Sequence, residues 1–203
     1  VNIIGIPYIL PTLFNLFLLR YEMTFSFDQF VIEARAAVVT EKPTQAIRLL
    51  IQKALEIKET LVTKNPLEKN ADEIMLFEDD TVSVWICRFD PYNVVPPHEH
   101  KMNAFIGVFQ GKEKHHFFKN DANGLKYKST QIIEAGQMTS IGTDGLHAVV
   151  AEGQEDCYSL HIYTGPLSKV KRSLFDWDTG QALEFTDMNF QRLKRSPNEL
   201  ELS

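Results

Sequence analysis

The apolar pattern opens with residues 1–22, which carry only Arg20 and Glu22 as charges. Their length suits a membrane helix or a signal-anchor. They lack a basic leading region and a small-residue cleavage site, and Pro7 and Pro11 interrupt them. Met23 follows at once. We read Met23 as the native start and residues 1–22 as upstream sequence, with a membrane or exported segment as the competing reading. Ser26 and Gln29 have the spacing of a capping box. Phe27, Phe30, Val31, Ala34 and Val38 then recur at helical spacing. Pro43 suits the first turn of a second helix, with Ala46, Ile47, Leu50, Ile51 and Leu55 along one face. Lys64-Asn65-Pro66 ends the helical region.

After about residue 72 the period changes. Short β-rich runs fall at 81–87, 104–109, 113–118, 131–134, 147–151 and 159–163, with turn sequences at 120–124 and 142–145. Many short strands with regular turns predict a mainly β sandwich or barrel, with two N-terminal helices packed on it. The expected division is a helical region at 23–68, a barrel at 69–190 and a tail at 191–203. Phe175 and Trp177 serve as anchors in the charged stretch that begins near Arg172.

Composition narrows the class. The chain has 203 residues, 44% hydrophobic and 24% charged, which allows one substantial core and excludes a disordered or collagen-like chain. Net charge is −6 with no Lys/Arg block, so neither nucleic acid nor an anionic membrane is expected as a partner. Cys87 and Cys157 form no CxxC, which favours a reduced, cytoplasmic setting and leaves a single disulfide open. Both sit among apolar residues and read as packing rather than nucleophiles. No phosphate loop or nucleophile elbow occurs.

The candidate chemistry lies in the histidines, at 98, 100, 115, 116, 147 and 161. His98-Glu99-His100 on a strand would turn both imidazoles to one face. Alone, such a pair reads more readily as a solvated surface than as a metal site. His147 follows the Gly142-Thr143-Asp144-Gly145 turn and opens an apolar run. His115 and His116 are adjacent and face opposite ways, so both cannot serve one ion; surface or barrel-face roles are expected for them. Met102 reads as core. Ser159, His161 and Tyr163 share one strand face, alternating with Leu160 and Ile162. That row is either the wet face of an amphipathic strand or a donor chain beside a metal.

Taken together, these positions resemble the two motifs of the cupin superfamily. The first is HxH, three or four residues, Glu, six residues, Gly; this chain has His98, His100, Ala104 and Gly111 at that spacing. The second is Gly, five residues, Pro-x-Gly, two residues, His; this chain has Gly136, Gly142-Thr143-Asp144 and His147. The resemblance implies a double-stranded β-helix (jelly-roll) barrel. It implies that His98, His100 and His147 bind a divalent metal without the usual carboxylate, since Ala104 stands in its place. Three imidazoles with open positions suit Fe(II), Zn(II), Cu(II) or Ni(II). No fourth ligand is evident that would close a structural zinc site. An ion without the carboxylate keeps its full charge and attracts anions such as a thiolate.

Within the cupins, the row Ser159-Leu160-His161-Ile162-Tyr163 and the stretch from Pro96 to Gly111 are similar to the cysteine dioxygenase family. Those are three-histidine iron proteins that oxidise small thiols to sulfinates with O2. The resemblance spans roughly residues 25–180. It implies Fe(II) at His98, His100 and His147, and an outer triad of Ser159, His161 and Tyr163. Tyr163 would offer its phenol to the substrate or to bound oxygen, His161 would hold that phenol, and Ser159 would anchor the imidazole. Two positions depart. Better-known members place a cysteine near 104, cross-linked to the tyrosine, and Ala104 cannot form that bond. They also carry an arginine before HxH that clamps the substrate carboxylate. Residues 72–77 contain none, and Arg88 is the nearest cation. The expectation is a thiol dioxygenase, monomeric or homodimeric. Two rivals stand beside it: a metal-bound cupin that binds or senses a small ligand without turnover, and a zinc-dependent isomerase or hydrolase.

Overall fold

Helix α1 (Leu13–Thr24) runs through Met23 without a break. The structure, a computed structural model, describes residues 13–122 and 124–200. Residues 1–12 of the segment read as upstream sequence therefore lie outside the described residues. Within the rest of that segment, Tyr21 is buried with Leu18 beside it, and the Lys53 ammonium sits 3.7 Å from the Tyr21 ring centroid. Glu22 accepts a hydrogen bond from the Thr60 hydroxyl at 3.0 Å.

Helix α2 (Phe27–Val38) starts where the capping pattern placed it. Ser26 accepts from the Gln29 amide at 3.1 Å, but the Gln29 side chain turns to Glu33, so only half of the box forms. Helix α3 (Pro43–Leu55) begins on Pro43 and buries Ile47, Leu50, Ile51, Ala54 and Leu55. Helix α4 (Lys58–Lys64) buries only Leu61. Four helices thus precede the strands among the described residues, not two. Seven residues with one buried position give α4 no readable period, and α1 falls in the stretch assigned to upstream sequence.

The strands are β1 (Glu73–Glu78), β2 (Ser83–Phe89), β3 (Val95–Glu99), β4 (Ala104–Gln110), β5 (Lys112–Asp121), β6 (Gly124–Glu134), β7 (Met138–Ile141), β8 (Leu146–Ala151), β9 (Cys157–Tyr163), β10 (Ser173–Phe175) and β11 (Ala182–Glu184). They form two antiparallel sheets, ordered β1-β2-β9-β4-β7 and β11-β10-β3-β8-β5-β6. The mainly β architecture is as expected. Helix α5 (Asp187–Leu193) then crosses the expected start of the tail, and the Trp177 indole donates to the Leu193 carbonyl at 2.8 Å. The chain beyond is docked too, through a Val94–Arg195 bridge and an Arg195–Asp178 contact of 2.7 Å.

The outer face of the first sheet packs on the helices. Val84, Ile86, Phe105, Phe109, Leu160 and Ile162 join the helical residues in one apolar cluster. Gly107 on β4 makes that approach possible, because a Cβ there would meet Ile51 Cγ2 at 2.4 Å. The motif glycine Gly111 is required on two counts: its φ is +73°, and a Cβ would lie 2.6 Å from the Asp156 carbonyl oxygen. Cys87 and Cys157 are free and buried, which settles the disulfide question; burial pushes both thiols up, as suits packing residues. No helix among the described residues is long and apolar enough to cross a membrane.

Candidate metal centre

Strands β3 and β8 lie side by side, and the register sets His98 opposite His147. Pro96 and Pro97 cannot donate to the ladder, and the register slips between Val95 and His98. His100 follows just beyond the end of β3. One nitrogen from each of the three lies within 4.8 Å of the others. All three rings are buried. His98 Nδ1–H donates to the Pro96 carbonyl at 2.9 Å, which leaves Nε2 with its lone pair. His100 Nδ1 and His147 Nε2 are buried without a partner.

An unpartnered buried polar atom costs about 1–3 kcal/mol, and a cation between these rings would remove that cost. The donor set therefore fits a divalent metal. Electrostatics agree. Burial, with the Arg172 charge behind it, holds His98 at about 3. Burial and neighbouring histidines hold His100 and His147 well below the ordinary 6.5. All three imidazoles are thus neutral, with lone pairs free at neutral pH.

The Ser-His-Tyr row lies on β9 as a hydrogen-bonded line. Ser159 Oγ is 2.9 Å from His161 Nε2, and His161 Nδ1 is 2.8 Å from the Tyr163 hydroxyl. The Tyr163 ring stands 5.0 Å, centroid to centroid, from the ring of His100. Burial raises the phenol's pKa well above 10, so it keeps its proton. Ala104 pairs with Tyr163 in register and packs with Met102, Ile106, Ile141 and Leu167, so the position four residues after His100 is apolar.

Sequence reasoning missed three residues. His115 and His116 do face opposite ways: His116 bonds to Thr130 Oγ1 at 2.8 Å. His115 takes the barrel-face role of the two expected, not the surface one. It is fully buried, its Nδ1 is 2.9 Å from His147 Nδ1, and the two rings stack at 5.1 Å. Glu113, two residues earlier on the same strand face, has no exposure. Its Oε1 lies 3.0 Å from His115 Nε2, off the ideal hydrogen-bond line, and 3.7 Å from His161 Nε2. Burial pushes the Glu113 carboxyl up, but His115 and His161 outweigh that and hold it well below the usual carboxylate range. The available signal was Glu113-x-His115 at strand spacing, the same pattern that gave weight to His98-x-His100.

The third is Arg172. Its guanidinium carbon sits 3.5 Å from the Phe185 ring centroid, and no hydrogen bond or ion pair engages it among the described residues. Arg88, the cation that sequence suggested, is committed elsewhere: it contacts Asp72 at 2.6 Å, Asp156 at 3.1 Å and the Ala71 carbonyl at 3.1 Å. Arg172, Tyr163 and the three histidines open on one cavity of about 420 Å³, which Phe190 of α5 also lines.

No protein-family model matches the sequence, and no curated protein does. Solved structures similar in fold include a protein with a double-stranded β-helix domain from Klebsiella pneumoniae. It is 15% identical, with 56% of this chain and 87% of that one covered at a TM-score of 0.44. A cupin superfamily protein from Desulfitobacterium hafniense is 17% identical, covering 51% and 86% at a TM-score of 0.41. An oxalate oxidase in complex with the substrate analogue glycolate is 18% identical, covering 48% and 53% at a TM-score of 0.39.

Proposed function

We propose that the barrel is a cupin that holds Fe(II) through His98, His100 and His147 and oxidises a small carboxylated thiol to its sulfinate with O2. One observation carries this reading: the hydrogen-bonded Ser159–His161–Tyr163 line ends in a buried phenol beside three neutral, converging imidazoles. When bound, iron would supply the electronic route between thiol and O2. The protein residues bind and orient. Arg172 offers a free guanidinium to the substrate carboxylate, with Phe185 holding its plane. That cation comes from the segment before β10 rather than from the strands before HxH. A cavity of about 420 Å³ suits a small metabolite. His161 fixes the Tyr163 hydroxyl, which stays within reach of whatever occupies the cavity.

The test is O2 uptake by anaerobically purified, iron-loaded protein offered a panel of small thiol carboxylates, with products followed by mass spectrometry. The expected result is uptake coupled to a product two oxygen atoms heavier. Iron-loaded protein that consumes no O2 with any member would contradict the reading. Arg172 and the deep cavity also favour a second reading, a metal-bound cupin that binds a small anion without turnover. Tyr163→Phe separates the two. It should lower turnover by about 10²-fold or more if the phenol takes part in catalysis, and leave anion affinity unchanged if the site only binds.

A further inference from the structure

The charged side chains that line the cavity fall into two groups. Most are already engaged. Arg88 holds Asp72 and Asp156, and Lys194 reaches Asp72 at 3.9 Å. Asp90 accepts from the amides of Tyr92 and Asn93 at 2.7 and 2.8 Å, and Asp187 accepts from the Gln191 side chain at 3.4 Å. Glu73 and Arg172 are the exceptions. Among the described residues, no hydrogen bond or ion pair engages either one. Their charges are opposite and each acts on the other, yet the two groups do not join. We propose that Glu73 is a specificity-determining residue: it takes the ammonium group of a ligand whose carboxylate sits on Arg172, so the cavity selects zwitterions. The inference rests on the proposed role of Arg172 as the carboxylate clamp, and it deepens the proposed function by adding an amine to the substrate.

The fold brings the two charges to the cavity from different sheets. Glu73 opens β1 and pairs in register with Cys87 of β2, which lines the cavity as well. Residues opposite each other on paired strands share a face. The next residue, Ile74, turns the other way and packs against the apolar cluster beneath the helices. Glu73 thus stands on the cavity side of β1, exposed at the rim. Arg172 lies just before β10, which joins β3 in the second sheet. Its guanidinium lies over the Phe185 ring at 3.5 Å, a contact it would give up by swinging across to Glu73. A ligand with a carboxylate alone answers Arg172 and leaves Glu73 without a partner. A ligand that also carries an ammonium answers both, through two charge-assisted contacts. An amine held by Glu73 is held by the protein and needs no place on the metal.

The experiment titrates the full-length protein, as purified, with thiol-free probes and follows binding by NMR. The probes are ω-amino acids from glycine to δ-aminovalerate, each paired with the amine-free carboxylate of the same chain length, acetate to valerate. Expected is a chain length at which the amino acid binds about tenfold or more tighter than its partner. Glu73→Gln should remove that preference and leave the affinity of the plain carboxylate in place. Glu73→Lys should invert it, favouring a dicarboxylate of similar length over the amino acid. Arg172→Gln should weaken both members of the pair. A series in which no amino acid outbinds its partner would overturn the proposal. So would a preference that survives Glu73→Gln, because the amine would then be held elsewhere. Arg172→Gln without effect on either member would remove the clamp and the inference with it. No probe carries a thiol and no step needs O2, so a protein inactive as a dioxygenase still decides the question.

Discussion

The two faces of β9 are buried to the same degree and held by different forces. Leu160 and Ile162 have no exposure and pack beneath the helices in the large apolar cluster. Ser159, His161 and Tyr163 are nearly as inaccessible, yet they are tied into one line by two contacts of 2.8–2.9 Å that meet at His161. The apolar face is held by many weak, non-directional contacts, so a lost group costs volume and area. The polar face is held by a few directional ones, so a lost group leaves its neighbour unsatisfied. Stability and chemistry should therefore separate by face, although one strand carries both.

The largest break should come from the apolar side. Leu160→Ala should cost about 2–5 kcal/mol in denaturant unfolding, because the packed helices cannot fill the cavity. Metal bound per folded molecule should not change, since Leu160 touches none of the ligands' face. A matching loss of metal would show that the faces are not independent.

Acid sharpens the contrast, because Leu160 and Ile162 cannot titrate, whereas the cavity that His161 and Tyr163 line also holds His98 of β3. His98 is pulled from 6.5 to about 3 in the folded protein. Below pH 6.5 the unfolded chain takes up a proton that the fold refuses, so metal-free protein loses stability as pH falls from 6.5 towards 3. Above 6.5 this histidine has no effect. At pH 5 His98 alone should account for about 2 kcal/mol. Leu160→Ala should lower the whole stability–pH curve without changing that slope.

The smallest effect concerns the cavity wall. Arg172→Gln should raise KM for a carboxylated thiol by about tenfold, the loss of one charged hydrogen-bonding group. It should leave KM for an uncharged thiol in place. Equal effects on both thiols would mean that Arg172 does not meet the carboxylate.

What the sequence made legible was short in range. His98 and His100 lie two residues apart, and Ser159, His161 and Tyr163 follow the strand period, so alternation alone put each set on one face. His147 came from a turn and its spacing to Gly136. The missed residues depend on pairing over distance. His115 reaches His147 only because β5 lies beside β8. Alternation showed that His115 and His116 part company, but not which of them faces inward. Arg172 enters the cavity because β10 joins the edge of β3, with Leu174 opposite His98. Ala104 correctly signalled that the inner carboxylate is gone. It could not signal that Glu113 supplies one in the next layer.

Iron at His98, His100 and His147 is tested by metal content by mass spectrometry on protein purified without oxygen, with His147→Ala alongside. Wild-type protein should carry stoichiometric iron and the folded variant none. Wild-type protein that carries zinc and refuses iron, or a variant that keeps its iron, would contradict it.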